Sequence, residues 1–182
     1  MKYTDLMIDL ETLDTRPTAH ILTVGVTGFN KDTGEVDGGM HIPMVLDQGR
    51  SISAHTVKWW TEQSEAARKR AFEPDKFSGL ANAGEMVHAL ASYINDNCVK
   101  KVRVWANGPA FDLAILRNLC EQHGFQAPWH YRQERDFRTY MEDFKGEMPP
   151  NTLAHDALAD AIWQAKAIIA RAKTNAPQLP LV

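Results

Sequence analysis

Apolar positions along the chain change their period several times, and each change marks an element. Leu6-Met7-Ile8-Asp9-Leu10 is a short apolar run that closes on acidic residues, the pattern of a central strand. Thr15 to Ala19 carries Pro17 and predicts a turn. Ile21 to Phe29 is β-branched and apolar, a second strand, and Met40 to Val45 makes a third. Between these two, Asn30 to Gly39 holds three glycines and several charges. Two strands joined by such a polar loop predict an antiparallel meander. The period then becomes helical. Val57, Trp60, Ala67 and Ala71 are spaced among charges and predict a helix over Ser53 to Phe72. Its start is poorly marked, because Ser64 opens an S-x-x-A and no capping box. Glu73 to Ser78, with Pro74, is a loop. Met86, Val87, Leu90, Ala91 and Ile94 predict a helix over Ala83 to Asn97.

Val102 to Ala106 is a fourth strand, ended by Asn107-Gly108-Pro109. Phe111 to His123 follows as a helix, with Gly124 at its C′ position. Residues 125–150 are mixed, with a short strand expected near Asp136 to Tyr140 and a turn at Pro149-Pro150-Asn151. His155 or Asp156 opens a last helix that runs to about Lys173. This order predicts an α/β fold, a mixed sheet with an antiparallel meander and parallel strands, flanked by helices. There is no internal repeat, low-complexity segment or linker. One domain is expected over residues 1–175, with a poorly ordered tail at 176–182.

Composition narrows the class. The 182 residues are 44% hydrophobic and 24% charged, ordinary for a globular protein, and the net charge is −3. That excludes a basic, DNA-coating protein. A nucleic-acid enzyme stays open, since a bound cation can supply the positive charge that lysine does not. Cys98 and Cys120 form no C-x-x-C pair. Both lie in apolar helical patterns and read as buried free thiols, which suits a reducing compartment. The N-terminus runs straight into a strand with no signal-peptide core, and no apolar run approaches the roughly 20 residues of a membrane span. A cytoplasmic protein without a membrane partner is expected.

The candidate chemistry is acidic. Asp9 and Glu11 are two apart on the first strand, so their side chains share a face and repel unless a cation lies between them. With 23 acidic residues in the chain, one D-x-E arises nearly by chance. The context decides, because the end of a central strand is where α/β proteins place ligands. Asp112 opens a helix just past the fourth strand, where a carboxylate also suits the helix dipole. His155 and Asp160 form H-x-x-x-x-D at the start of the last helix. Five helical residues turn a side chain by roughly 140°, so the two share a site only if His155 reaches in from before the first turn. Asp160 lies among Leu158, Ala161, Ile162 and Ala165, where an unpartnered carboxylate is costly to bury. The plain alternative for each is a solvent-facing helix residue.

Asp-x-Glu, then Asp, then His-x-x-x-x-Asp resembles the signature of the DEDDh 3′–5′ exonucleases of the ribonuclease H-like superfamily. The surrounding residues match as well: Ile8 to Thr12, Trp105-Ala106-Asn107-Gly108 with Phe111-Asp112, and His155 to Ala161. Thr56-Val57-Lys58-Trp59-Trp60 followed by Gln63 is similar to one branch, that of bacterial and mycobacterial 3′–5′ exoribonucleases and a phage DNA exonuclease. The likeness covers roughly residues 5 to 170. It departs at Thr12-Leu13-Asp14, where many members have Thr-Gly, and this bears on backbone contacts to the terminal nucleotide.

The resemblance implies two Mg²⁺ ions about 4 Å apart, with Mn²⁺ as a substitute. It implies Asp9, Glu11, Asp112 and Asp160 as metal ligands and His155 as general base. The substrate is the single-stranded 3′ end of a nucleic acid, RNA rather than DNA by the branch resembled, and a homodimer is a possible partner state. A DNA-specific exonuclease and a catalytically silent binding module are the alternatives. Leu10, Thr12, Trp59, Asn107 and Phe111 are the candidate substrate contacts. Trp59 and Trp60 point about 100° apart on a helix, so one is expected in the core and the other on the cleft, against an arrangement with both buried. Arg16, Lys58, Arg132, Arg135 and Arg138 are candidates for phosphates, each with a solvated face as its bland alternative.

Overall fold

In the computed structural model, which describes residues 2–46, 49–73, 79–151 and 153–174, the first strand lies in the middle of the sheet. Strand β1 (Tyr3–Thr12) pairs antiparallel with β2 (Ile21–Phe29), and β2 with β3 (Met40–Pro43). On its other side β1 pairs parallel with β4 (Cys98–Ala106), and β4 with β5 (Glu134–Asp136). The order is β3-β2-β1-β4-β5, the expected meander plus parallel strands. Helices α1 (Ala54–Thr61), α2 (Glu65–Phe72) and α3 (Ala83–Asn97) lie between β3 and β4. Helix α4 (Asp112–Gln122) follows β4, and α5 (Phe137–Met141) and α6 (Ala157–Thr174) follow β5.

The two faces of β1 divide the core. Leu6, Ile8 and Leu10 join Met86, Leu90, Leu113 and Leu116 of α3 and α4. Met7 joins Trp105, Phe137 and the α6 residues Ala161, Ala165 and Ile168. By strand alternation Asp9 and Glu11 lie on the α6 face. Glycine sets how close that helix comes. Gly25 sits opposite Asp9 in the β1–β2 register, and a Cβ there would fall 2.1 Å from the Ala157 carbonyl carbon. The first turn of α6 therefore rests on bare strand backbone beside Asp9.

Several boundaries differ from expectation. The helix over Ser53–Phe72 is two helices, because Ser64 Oγ accepts the Ala67 amide at 3.2 Å and starts α2 afresh. One such bond satisfies an orphan N–H without a full capping box. The last strand covers 134–136, not 136–140: Asp136 Oδ1 accepts the amides of Arg138 and Thr139, turning the chain into α5. Strand β3 ends at Pro43, β4 starts as early as Cys98, and α6 starts at Ala157. Helix α3 carries a capping box, Asn82 with Glu85. Cys98 is thus a strand residue, yet both cysteines are buried and free. Most of the Glu73–Ser78 loop and the tail 175–182 lie outside the described residues. No described helix is long and apolar enough to cross a membrane.

Candidate active site

A cleft of about 380 Å³ opens at the end of β1, where it meets the start of α4 and the start of α6. Asp9, Glu11, Asp112, His155 and Asp160 all line it. They come from β1, the start of α4, the segment before α6 and the first turn of α6. Asp9 and Glu11 are held by β1. Asp112 opens α4, and its Oδ1 accepts the Leu10 amide at 3.2 Å, so the helix start is tied to the strand. Asp160 projects from the first turn of α6, which the Gly25 contact brings down on the sheet.

His155 precedes α6 by two residues and reaches in from outside the helix, the arrangement that the five-residue spacing requires. Its backbone is left-handed, with φ of 67°. Asp160 Oδ2 accepts its amide at 2.8 Å and fixes that conformation. The imidazole meets the Trp59 ring edge-on at 4.9 Å between centroids. Ligand atoms of Glu11, His155 and Asp160 lie within 4.8 Å of one another.

The electrostatics follow from placing carboxylates together away from bulk water. Burial raises the Asp9 carboxyl well above its usual range, and the charges of Asp112, Glu11 and Asp160 add to this. Burial likewise pushes Glu11 up to about 8, with Asp160, Asp112 and Asp156 contributing. Asp112 is raised to about 7 by burial, against its own amide, the Leu10 amide and Arg138. Such a cluster is stable in its anionic form only with a compensating cation.

Three further side chains complete the floor. Gln164, 2% exposed, donates from Nε2 to Asp9 Oδ1 at 2.7 Å. Asn151 Nδ2 donates to Asp160 Oδ1 at 2.7 Å. Arg138 lines the wall next to Asn107. Gln164 had a signal in the sequence, four residues after Asp160 on one helix face. Asn151 and its reach across a loop had none. Just outside the first turn, Asp156 accepts the Ala159 amide at 3.0 Å and Arg70 Nε at 2.5 Å, tying α2 to the start of α6.

Leu10, Asn107 and Phe111 line the same cleft. Thr12 and Trp59 do not. They belong to an adjoining, more apolar cavity of about 290 Å³, which shares Leu10, Glu11 and Phe111 with the cleft. Thr15 and His55, which the sequence did not single out, and Thr56, quoted only as part of the tryptophan segment, complete it. Trp60 is 2% exposed and donates from Nε1 to the Thr12 carbonyl at 2.9 Å, whereas Trp59 is 36% exposed and lines the cavity. One tryptophan is core and the other faces the cavity.

Comparison with known proteins bears on this arrangement. The profile of the 3′–5′ exoribonuclease Rv2179c-like domain matches residues 4–171. The chain belongs to this family. Among curated proteins, the Rv2179c-like chain is 25% identical to the exodeoxyribonuclease of enterobacteria phage T4, over 86% of this chain and 83% of that one. Among solved structures it resembles E. coli exonuclease I in its zinc-bound complex with single-stranded DNA, with a TM-score of 0.68 and 16% identity over 98% of this chain. The same enzyme with a dA16 oligonucleotide gives 0.68 and 17% over 97%. The chain spans about two fifths of the exonuclease I chain, 42% in both cases. These likenesses agree on the ribonuclease H-like fold.

Proposed function

We propose that this protein removes nucleotides from the 3′ end of single-stranded nucleic acid, RNA ahead of DNA, and releases nucleoside 5′-monophosphates with the help of divalent cations, Mg²⁺ with Mn²⁺ as a substitute. The observation that carries this reading is the convergence of Asp9, Glu11, Asp112 and Asp160 with His155 on one cleft. The donor set fits the metal. Four hard carboxylates, three with raised proton affinity from burial, are the ligand chemistry Mg²⁺ prefers and the charge it offsets. Asp9, Glu11, Asp112 and Asp160 would hold the ions. When bound, they supply Lewis-acid polarisation of the phosphodiester and a lowered pKa for the attacking water.

The chain's own residues do the rest. His155, within reach of Glu11 and Asp160, takes the proton from the attacking water, and its contact with Trp59 orients the ring for that transfer. Gln164 keeps Asp9 pointed into the cleft and favours its ionised form. The apolar cavity of Trp59, Leu10 and Phe111 receives the terminal base, where stacking on an aromatic face contributes roughly 1–3 kcal/mol.

A second reading, a DNA-directed exonuclease, is favoured by the phage relative. A time course on 5′-labelled single-stranded RNA and DNA of one sequence, with Mg²⁺, Mn²⁺ or chelator, separates the two. The expected result is a metal-dependent ladder shortening from the 3′ end, faster on RNA, and abolished in a folded Asp9→Ala variant. Cutting of a circular strand, or full activity in Asp9→Ala, would overturn the mechanism.

A further inference from the structure

The acidic cleft receives positive charge from one side. Among the described lining residues of the cleft and the adjoining cavity, Arg138 is the sole lysine or arginine. Its Nη2 donates to the Asn107 carbonyl at 3.3 Å and lies over Gly108, whose φ is +101° and where a Cβ would stand 3.6 Å away. It lines the cleft but not the apolar cavity, so it marks the side away from the terminal base.

Arg138 is the first of three. Arg135 and Arg132 precede it at intervals of three residues, through β5 and the 3₁₀ turn Tyr131–Gln133. Strand β5 is the edge of the sheet. Arg135 lies opposite Trp105 in the parallel register, hence on the α6 face that carries Asp9 and Glu11. None of the three makes an ion pair among the described residues, although the charge of Arg138 reaches Asp112 across the cleft. Arg135 Nη1 donates to the carbonyls of Arg132 and Glu134, and Arg132 Nε to the Tyr131 hydroxyl, with its guanidinium 5.6 Å above that ring. The intervening acids are engaged elsewhere. Glu134 accepts from Arg117 and Trp129, and Asp136 caps α5. By contrast Arg16, Arg70, Arg103 and Arg117 are in ion pairs. Of the described arginines outside such pairs, only these three follow one another at intervals of three up to the cleft, Arg50 being held by carbonyl and amide oxygens and Arg171 lying over Tyr140. On a chain of net charge −3, three successive arginines outside any ion pair, leading to an anionic cleft, suit an external anion with repeating charges.

We propose that Arg138, Arg135 and Arg132 form a cationic track along the β5 edge that holds the phosphates of the strand upstream of the scissile bond. This rests on the exonuclease reading above. With the terminal base in the Trp59 cavity and the scissile phosphate at the carboxylates, the strand leaves past Arg138 and follows the edge. Arginine suits this because its planar fork can grip phosphate oxygens while keeping its existing carbonyl contacts.

The test compares a 12-nucleotide and a 2-nucleotide substrate of one sequence across the wild type, the Arg132→Glu and Arg135→Ala variants, and Arg135→Lys. Lys166→Ala, which removes one charge from an exposed position of α6, is the control. In Arg132→Glu and Arg135→Ala, kcat/KM on the 12-mer relative to the 2-mer is expected to fall about tenfold. Binding of the 12-mer should lose about 0.7 from its log–log salt slope for each phosphate contact removed. Arg135→Lys should restore most of the slope, and Lys166→Ala should leave the ratio unaltered. Equal losses on both lengths, or an unaltered salt slope, would refute the track and point to a structural role or an acidic protein partner. A wild type that shortens no strand from its 3′ end would instead overturn the exonuclease reading itself.

Discussion

His155 is the one non-glycine residue with positive φ among the described residues, a conformation that costs an ordinary L-residue about 1–2 kcal/mol. The hydrogen bond its backbone N–H donates to Asp160 and the Trp59 contact hold it there, so the cost goes toward aiming an imidazole at the cleft from outside the helix. Asparagine tolerates this backbone better than most residues but cannot serve as a base. His155→Asn is therefore expected to keep the melting temperature near wild type while turnover falls by two or more orders of magnitude, the scale of a lost general base. A near-wild-type rate would remove His155 from that role. Gln164 acts one step back. Its amide fixes one oxygen of Asp9, while its own Oε1 is buried with no partner among the described residues. Gln164→Leu should preserve the fold and weaken Mn²⁺ binding, measured by calorimetry, by about 10–100-fold, as losses of groups that orient metal ligands do. Unchanged affinity would show that β1 alone orients Asp9.

At the scale of elements, the site depends on how closely α6 approaches the sheet. A Cβ on Gly25 would meet the backbone of Ala157 and Leu158, which cannot rotate away, whereas one on Gly28 would meet the Tyr3 ring and one on Gly38 nothing within 4 Å. Gly25→Ala is accordingly expected to lower the melting temperature by several degrees and to reduce metal binding, because Asp160 moves off with the helix. Gly38→Ala, at a surface position with room, should do neither; comparable effects of the two would show that the close approach does not matter. This dependence explains what was legible beforehand. The acid spacing on β1 and the H-x-x-x-x-D geometry are local, and the sequence carried them to the right elements. A glycine inside a strand is a general sign of close approach, but nothing in the sequence pattern tied Gly25 to its partner, a helix more than 130 residues later, which is a tertiary fact. The β5 boundary was misplaced because Asp136 caps a helix with the same residue that ends a strand, and the Ser53–Phe72 break because a single Ser64 bond restarts a helix without changing the apolar period.

Across the whole molecule, the cleft makes the metal-free fold sensitive to pH in a direction opposite to common acid unfolding. Glu11 holds its proton more tightly folded than unfolded, so between the ordinary carboxylate range and about pH 8 the native state binds more protons, and Asp9, also raised, acts in the same direction. Stability then falls as pH rises through that window. Asp112 contributes up to about pH 7. Asp14, Asp156, Glu35 and His20 act with the opposite sign lower down. Asp14, Asp156 and Glu35 have lowered values, so their stabilisation is complete above roughly pH 5. His20, lowered by burial and by Arg50, gives stability that rises with pH only up to about 6.5. The cysteine thiols, raised to about 11, do not titrate below about pH 9. The interval from about pH 6.5 to 8 therefore belongs mainly to Glu11 and Asp9. Thermal unfolding in chelator should show a melting temperature that declines across this interval, with a rise on adding Mg²⁺ that grows with pH as the ion replaces protons bound there. Glu11→Gln, which removes the titrating charge, should flatten the chelator profile and diminish the Mg²⁺ effect together. A chelator profile that is flat or rising in the wild type would show that the cleft carboxylates are already solvated and that their repulsion calls for no cation.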